Sequence, residues 1–133
     1  MKKMNILFVC KYNRFRSKIA EAYLNLKSEK DGAKSAGIIE GNPISDAIFE
    51  SAKRNGLEIR GAPRTIDVPL LKWHDKMVII ACDIPASLFH ENEKYGRDVE
   101  VWPIEDCDES DTKAMDGIIV DIKKRIDELL ENI

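Results

Sequence analysis

The sequence predicts an α/β fold in which one parallel sheet is covered by helices on both faces. Short apolar runs alternate along the chain with segments whose apolar residues recur every three or four positions, a pattern typical of α/β domains. The chain has 133 residues, the usual size of one domain, and no repeat or linker divides it. We therefore expect a single domain over residues 1–133, with the loops that follow the strands gathered at one edge of the sheet.

The first strand and the first helix are expected on either side of a polar loop. Ile6–Val9 is an uninterrupted apolar run, as expected for a strand buried on both faces of a parallel sheet. After the loop, apolar residues at helical spacing form one stripe of a helix. These residues are Ile19, Ala20, Tyr23, Leu24 and Leu26. Asp31-Gly32 is expected to end this helix, because glycine is typical of helix ends.

A second strand and a second helix are expected next, joined by a turn at Gly41-Asn42-Pro43. Ala33–Ile38 is the expected strand. The helix is expected to begin after a polar cap, either Ser45 or Asn42, whose side-chain oxygen can accept a hydrogen bond from the first helical turn. Gly56 is expected to end this helix in the left-handed conformation that glycine adopts readily.

The second half of the chain contains two further expected strands and a long closing helix. Met77–Ala81 and Val99–Trp102 are the strands. One helical turn is expected at Leu70–Trp73 and a short helix at Ala86–His90. The closing helix is expected to begin after a polar cap within residues 110–112, and it carries a long apolar stripe. The stripe consists of Met115, Ile118, Ile119, Ile122, Ile126, Leu129 and Leu130.

Composition and charge restrict the classes of function. Twenty-one basic against 24 acidic residues give a net charge of −3, whereas nucleic-acid-binding proteins normally carry a basic excess. The longest apolar run, Ile6–Cys10, is too short to cross a membrane, and the N-terminal residues do not form a signal peptide. The three cysteines form no Cys-x-x-Cys pair, and the two histidines have no zinc-ligand spacing; His74 is expected at the surface. We therefore expect a cytoplasmic protein with reduced thiols and no metal or cofactor, and neither nucleic acid nor membrane as partner.

The loop between the first strand and the first helix carries the strongest functional signal. It reads Cys10-Lys11-Tyr12-Asn13-Arg14-Phe15-Arg16-Ser17. A loop that wraps from a strand into a helix N-terminus points backbone N–H groups inward and makes a nest for an oxyanion. Asn13 tolerates the left-handed conformation that such a loop needs, and Arg16 can bind two oxygens of a phosphate. Residues 11–17 are therefore the candidate phosphate-binding site, and phosphate or sulfate is expected to bind there.

Cys10 is expected to lie beneath this nest, at the end of the strand. The helix dipole, the N–H groups and the Arg16 guanidinium all favour the thiolate, which is the nucleophilic form. Ser17 is placed to donate its hydroxyl to the sulfur and stabilise it as a leaving group. Most buried cysteines are small core residues, but the flanking strand and helix, together with Asn13 and Ser17, favour a nucleophile aimed at a bound tetrahedral anion.

Further landmarks extend this pattern along nearly the whole chain. They are Ile19-Ala20-Glu21-Ala22, Ser35-Ala36-Gly37, Gly41-Asn42-Pro43, Gly56-Leu57-Glu58-Ile59, Cys82-Asp83 and Ile104-Glu105-Asp106. With Val9–Ser17 they resemble, in the same order, the low-molecular-weight protein tyrosine phosphatases and the arsenate reductases that share their fold. The family loop reads Val-Cys-x-Gly-Asn-x-Cys-Arg-Ser. In this chain Tyr12 replaces the glycine, and Phe15 replaces the second cysteine.

The resemblance implies a three-layer α/β fold with a four-stranded parallel sheet in the order 2-1-3-4. It also implies hydrolysis of phosphomonoesters, such as phosphotyrosine or a related aryl or small phosphate, through a phosphocysteine. Cys10 would attack phosphorus, while Arg16 and the loop N–H groups would hold the phosphate oxygens. Asp106 would be the general acid, because the family places its acid there in an Asp-Pro pair; this chain has Cys107 instead of the proline. Asp108 is the reserve candidate.

Two alternative functions stay open. An arsenate reductase would relay a disulfide from the loop cysteine to Cys82 or Cys107, both of which we expect to be buried and inert. A non-catalytic phosphate-binding module would result if Tyr12 blocked attack on the bound anion. The family's phosphotyrosine phosphatases line their cleft with aromatic residues, which this chain replaces with Ile38-Ile39-Glu40 and Cys107-Asp108-Glu109. The sequence therefore leaves specificity for aryl phosphates open.

Overall fold

A parallel sheet of four strands lies at the centre of the computed structural model, which describes residues 3–89, 91–92 and 97–133. The strands are β1 (Asn5–Cys10), β2 (Gly32–Gly37), β3 (Lys76–Ile80) and β4 (Asp98–Trp102). They are arranged in the order β2-β1-β3-β4, and each neighbouring pair is parallel. The predicted α/β class and the strand order 2-1-3-4 are therefore confirmed.

Helices cover both faces of this sheet. They are α1 (Arg16–Lys27), α2 (Asp46–Arg54), α3 (Val68–Trp73) and α4 (Thr112–Glu131), with a 3-10 helix at Ala86–Phe89. Alternate residues of a strand point to opposite faces. Ile6 and Phe8 of β1 thus pack in a core with α1, α2 and α4, whereas Leu7 and Val9 pack in a second core with α3. Among the described residues, no helix combines the length and apolar character that crossing a membrane requires.

Polar caps begin α2 and α4, and a glycine follows α2, as the sequence predicts. Ser45 Oγ accepts a hydrogen bond from the Ile48 N–H at 3.4 Å and so caps α2. Asp111 caps α4 by accepting from the Ala114 N–H at 3.0 Å. Gly56 follows α2 with a φ of 75°, the left-handed conformation expected of it. Ser45 and Asp111 thus fix where α2 and α4 begin.

The end of α1 differs from the prediction. The helix ends at Lys27, and Gly32 begins β2 rather than ending the helix. Between them, the Ser28 hydroxyl accepts a hydrogen bond from the Asp31 N–H at 3.0 Å and so forms a turn. This turn leads the chain directly into the sheet. Leu26, which the spacing placed in the apolar stripe, is 66% exposed because it faces away from the core.

The structure corrects one prediction for the segments that flank β3 and describes only part of another. His74 was expected at the surface but is 1% exposed. Its Nδ1 lies 3.3 Å from the Leu70 carbonyl oxygen and its Nε2 lies 2.7 Å from the side-chain nitrogen of Asn92, so partners within the protein replace water. The predicted short helix after β3 is the 3-10 helix Ala86–Phe89, and its expected last residue, His90, lies outside the described residues.

Candidate active site

Residues 11–15 connect β1 to α1 at the carboxyl edge of the sheet. Cys10 ends β1, which lies between β2 and β3 in the strand order. Asn13 has a φ of 55°, the left-handed conformation that the sequence predicts for it. Phe15, at the N-cap of α1, makes no side-chain cap hydrogen bond, so it leaves the N–H groups of the first helical turn for another acceptor. A bound oxyanion fits this geometry.

A chain of hydrogen bonds fixes the Ser17 hydroxyl against the Cys10 thiol. The Arg64 N–H donates to Asn13 Oδ1 at 3.0 Å, and Asn13 Nδ2 donates to Ser17 Oγ at 2.8 Å. Ser17 Oγ lies 2.9 Å from Cys10 Sγ, and its hydroxyl is the group of this pair that donates when Cys10 is a thiolate. Cys10, Asn13 and Ser17 are all buried. A donor held in this way stabilises a thiolate, because a hydrogen bond to a charged acceptor is stronger than one to a neutral acceptor.

Arg16 reaches into the site from a buried position at the start of α1. Its side chain is 5% exposed, and Nη1 donates to the Ile104 carbonyl oxygen at 2.9 Å. Nη2 lies 3.8 Å from Oδ2 of Asp106. Because the guanidinium is planar, an anchor at one nitrogen also orients the remaining donors. Arg16 is thus suited to bind an anion between the loop and the segment that follows β4.

A cavity of about 320 Å³ opens beside Cys10 and Arg16. Buried apolar side chains form part of its lining, and charged side chains surround them. The apolar group consists of Phe15, Ile48 and Met115, and the charged group consists of Arg14, Asp106, Asp108 and Glu109. The cavity therefore combines the cationic side chain of Arg16 with a wall of apolar and charged groups.

Asp106 and Asp108, the two candidate acids, have different surroundings in the loop after β4. The Asp106 side chain is 54% exposed at the cavity, and its Oδ1 accepts a hydrogen bond from the Cys107 N–H at 2.9 Å. Asp108 Oδ1 accepts from both the N–H and the hydroxyl of Ser110, at 2.8 and 2.7 Å. Those two bonds hold the pKa of Asp108 below its ordinary value. The acid form of Asp108 is consequently less populated than that of an ordinary aspartic acid, and Asp106 lies beside Arg16 at the cavity.

Tyr12 lines both the first cavity and a second one of about 290 Å³, as Arg16 and Asp106 also do. Its ring is 38% exposed. Lys11 Nζ lies 5.4 Å from the ring centroid and 3.4 Å from Oδ2 of Asp83, which lines the second cavity. Tyr12 thus stands at the mouth of the site as part of its wall.

Two glycines allow other segments to pack closely against the loop of residues 11–15, the candidate phosphate loop. A Cβ added at Gly37 would lie 2.9 Å from backbone atoms of residues 11–13, and one added at Gly41 would lie 2.5 Å from the Tyr12 carbonyl oxygen. Real Cβ atoms do not approach other atoms this closely, so a larger residue at either position would displace the loop. The landmarks Ser35-Ala36-Gly37 and Gly41-Asn42-Pro43 therefore have a steric basis in this structure.

The side chains of Arg14 and Phe15 point away from the anion-binding nest. Arg14 Nε and Nη2 each donate at 3.0 Å, to the carbonyl oxygens of Asn42 and Pro43 respectively, and Nη1 lies 2.6 Å from Glu109 Oε1. Phe15 is buried in the core that α1, α2 and α4 share. Neither side chain is therefore free to act as a ligand for an anion in the loop.

The two remaining cysteines are less buried than the sequence suggested. Cys82 is exposed and lines the second cavity, while Cys107 is half-buried and lines the first together with Cys10. Burial, together with the carboxylates of Asp106, Asp111 and Asp108, raises the pKa of the Cys107 thiol. Cys107 is therefore held mainly as the neutral thiol near neutral pH, a poor nucleophile.

Comparison with known proteins assigns the chain to a family. The family model described as low molecular weight phosphotyrosine protein phosphatase matches residues 5–133. The chain belongs to this family. A search of curated protein sequences finds no match.

Solved structures of the low-molecular-weight phosphatase fold superimpose on nearly the whole chain. A low-molecular-weight protein tyrosine phosphatase from T. tengcongensis has 25% sequence identity and a TM-score of 0.82, covering 98% of this chain and 99% of its own. An arsenate reductase from Archaeoglobus fulgidus has 23% identity and a TM-score of 0.76, covering 95% and 98%. Wzb from Vibrio vulnificus, in complex with benzylphosphonate, has 18% identity and a TM-score of 0.81, covering 98% and 99%. The fold is thus common to phosphatases and arsenate reductases.

Contacts between distant segments are the part of the site that sequence reasoning missed. The Arg64 N–H supports Asn13 across 51 residues, and Glu109 pairs with the Arg14 side chain. Neither partner lies in the loop motif. The Arg14–Glu109 pair could have been suggested by charge, because the two loops that carry these opposite charges meet at the same edge of the sheet.

Proposed function

We propose that this protein is a phosphomonoester phosphatase that forms a phosphocysteine at Cys10. The proposal rests mainly on the 2.9 Å contact between Ser17 Oγ and Cys10 Sγ, across which the serine hydroxyl can donate to a thiolate while the Asn13 amide holds the serine oxygen in place. That arrangement supports a thiolate beneath a nest of N–H groups, with the buried Arg16 beside it. Membership of the family supports the same reaction class.

In the first step, the Cys10 thiolate attacks phosphorus, and the bond from phosphorus to the ester oxygen breaks. Arg16 and the loop N–H groups bind the three equatorial oxygens, whose charge they stabilise in the transition state. The ester oxygen takes a proton from Asp106, which faces the cavity on the side of Arg16. The products of this step are the free alcohol or phenol and a phosphocysteine.

In the second step, water attacks phosphorus and the phosphorus–sulfur bond breaks. The Asp106 carboxylate accepts a proton from the water, which restores its acid form. The sulfur leaves as a thiolate, which the Ser17 hydroxyl stabilises by donating a hydrogen bond across the 2.9 Å contact. Phosphate is released from the loop, and no metal or cofactor takes part in either step.

The expected substrate is phosphotyrosine or a related aryl or small phosphate. Tyr12 at the wall and the apolar Phe15, Ile48 and Met115 give an aromatic leaving group a surface to contact. The similar Wzb structure contains benzylphosphonate, an aryl analogue of this kind. We propose a phosphorylated protein or small molecule as the partner. The free thiol of the exposed Cys82 is in keeping with a cytoplasmic location, where thiols stay reduced.

The first prediction concerns para-nitrophenyl phosphate at mildly acidic pH. The wild type should hydrolyse it, and Cys10→Ser should lower kcat by about a thousandfold or more, because serine is a far weaker nucleophile. Cys10→Ser should still bind phosphate, measured by calorimetry, since the loop N–H groups and Arg16 are unchanged. If the wild type binds phosphate without turnover, the loop is a receptor or serves redox chemistry, and the phosphatase proposal is wrong.

Arsenate reduction is the second candidate, favoured by the cysteines at the sheet edge. Cys107 lines the same cavity as Cys10, and Cys82 lines the neighbouring cavity. Reducing arsenate to arsenite takes two electrons, which two thiols supply as they form a disulfide. This function requires arsenate-dependent consumption of a thiol reductant, lost in Cys82→Ser or Cys107→Ser. Undiminished phosphatase turnover in both variants, without arsenate-dependent consumption, would exclude it.

A further inference from the structure

The Arg14 side chain connects three segments around the cavity. Its Nε donates to the Asn42 carbonyl oxygen at 3.0 Å and its Nη2 to the Pro43 carbonyl oxygen at 3.0 Å, both in the segment before α2. Its Nη1 lies 2.6 Å from Glu109 Oε1, in the loop after β4. All three guanidinium nitrogens are therefore engaged, and Glu109 meets a cation that two carbonyl groups hold in place.

The stem of Arg14 is held as well. A Cβ added at Gly41 would lie 3.2 Å from Arg14 Cγ, so the side chain passes directly over that glycine. Both partners of the ion pair are partly shielded from solvent, with 24% and 37% of the Arg14 and Glu109 side chains exposed. A fixed and partly shielded arginine loses less conformational entropy on pairing than a free surface side chain does.

The loop after β4 needs such a restraint at its outer end. Arg16 holds the beginning of the loop through the Ile104 carbonyl oxygen at 2.9 Å, but Asp106 itself lies 3.8 Å from Arg16 and is half-exposed. The residue after Asp106 is Cys107, whose φ is not fixed by a ring as that of proline would be. Glu109, three residues beyond Asp106, ties the outer end of the loop to the phosphate loop.

We infer that Arg14 and Glu109 are positioning residues for the general acid. Their ion pair holds residues 106–109 against the phosphate loop and thereby keeps the Asp106 carboxyl group at the mouth of the cavity. The inference rests on the proposed phosphatase function and deepens it. Neither side chain touches the phosphate; both act through the placement of Asp106, and a small displacement of a catalytic group lowers its contribution steeply.

The dependence of the rate on the leaving group distinguishes a positioning role from a merely structural one, because loss of structure would slow all substrates alike. Phenyl phosphate releases a phenol that needs a proton to leave, whereas 2,4-dinitrophenyl phosphate releases a phenolate stable enough to leave without one. A displaced Asp106 should therefore slow the first substrate far more than the second. Asp106→Asn removes the proton donor altogether, so it shows the largest difference that can be expected between the rates on the two substrates.

The experiment compares kcat/KM for the two substrates in the wild type, Glu109→Gln, Arg14→Met and Asp106→Asn. We expect Glu109→Gln and Arg14→Met to lose about tenfold on phenyl phosphate and less than threefold on 2,4-dinitrophenyl phosphate. Glu58→Gln is the matched control. It breaks an exposed ion pair between Arg60 and Glu58, whose charged atoms are 3.2 Å apart, and neither residue lines the cavity.

The result that would overturn the inference is a Glu109→Gln variant that loses activity equally on both substrates or on neither. Because Glu109 lies outside the phosphate loop, this variant keeps the test valid even if Arg14→Met disturbs the loop. Failure of the proposed function has a different signature, since the wild type would then hydrolyse neither substrate. The Asp106→Asn variant separates a wrong choice of acid from a wrong role for the ion pair.

Discussion

Asn13 joins two parts of the site because its amide has both an acceptor and a donor. Its Oδ1 accepts from the Arg64 N–H and its Nδ2 donates to Ser17 Oγ, while its backbone has a φ of 55°. Among residues other than glycine, asparagine is one of the few that adopt this conformation readily. One buried residue therefore shapes the loop and orients the hydroxyl that faces the nucleophile.

Replacing Asn13 should separate these two contributions. Asn13→Gly keeps the backbone conformation but loses both hydrogen bonds, and we expect it to lower the free energy of unfolding by about 1–3 kcal/mol. Asn13→Ala adds backbone strain of about 1 kcal/mol and should be the less stable of the two. Urea denaturation of both variants measures the difference. Equal stability of the glycine and alanine variants would mean that the left-handed conformation is not maintained.

The sequence predicts the backbone conformation of the loop between β1 and α1 better than it predicts the directions of the loop's side chains. The order of Cys10, Asn13, Arg16 and Ser17 indicates a nest, because strand, loop and helix constrain where a short chain can run. The direction of Arg14 could not be predicted, since it depends on carbonyl groups that another segment brings nearby.

Helix α3 ends on a histidine that the fold holds in a neutral form. His74 is the C-cap of α3, and its Nδ1–H can donate to the Leu70 carbonyl oxygen while Nε2 accepts from the Asn92 side chain. Burial lowers the pKa of His74 below its ordinary value. Protonation would place a second N–H against the Asn92 donor, so the charged form is disfavoured in the folded state.

The stability of the protein should therefore fall as the pH drops below about 6.5, the ordinary pKa of histidine. Below that pH the unfolded chain binds a proton at His74 that the folded chain does not bind until its own lower pKa is reached. The slope from this residue is at most about 1.4 kcal/mol per pH unit. Urea denaturation at pH 7.5 and 5.5 measures it. His74→Gln should reduce the difference between the two pH values, and an unchanged difference would contradict the assignment.

The element boundaries that sequence patterns missed are set by side-chain contacts. Apolar spacing predicts a longer α1, but the Ser28 hydroxyl and the Asp31 N–H form a turn before Gly32. His74 looks like a surface residue in the sequence, because its partner Asn92 lies 18 residues away. The long apolar runs were predictable, since they must be buried whatever the loops do.

At the scale of the molecule, α1 and α4 pack side by side on one face of the sheet and share a hydrogen bond. The Tyr23 hydroxyl donates to Asp127 Oδ1 at 2.7 Å, and the Tyr23 ring is buried in the core between these helices. Burial, together with this carboxylate, raises the pKa of Tyr23 to about 12. Because α1 begins at Arg16, the contact also supports the helix that carries the site.

Tyr23→Phe should destabilise the protein by about 1 kcal/mol at neutral pH, the ordinary worth of one hydrogen bond. The folded pKa is above the unfolded value of about 10, so this contribution is complete below pH 10 and is lost as the pH rises toward 12. Thermal denaturation at pH 7 and pH 11 tests both statements. Tyr12→Phe is the control, because that ring is exposed. A difference from wild type that persists unchanged at pH 11 would contradict the prediction.

The short bridge beside the phosphate loop also affects how the sheet meets other molecules. Gly37, at the end of β2, pairs with Thr65, and hydrogen bonds with Arg64 and Ile66 flank this bridge. One outer edge of the sheet is therefore covered next to the site, which limits strand addition there.

The opposite edge is β4, where Asp98 and Glu100 are exposed. A second copy that paired with this edge would bring like charges together, which destabilises a strand pair. The two edges thus resist aggregation by different means, one by coverage and one by repulsion. At low pH, protonation of Asp98 and Glu100 would remove the repulsion at β4 but leave the covered edge at β2 unchanged.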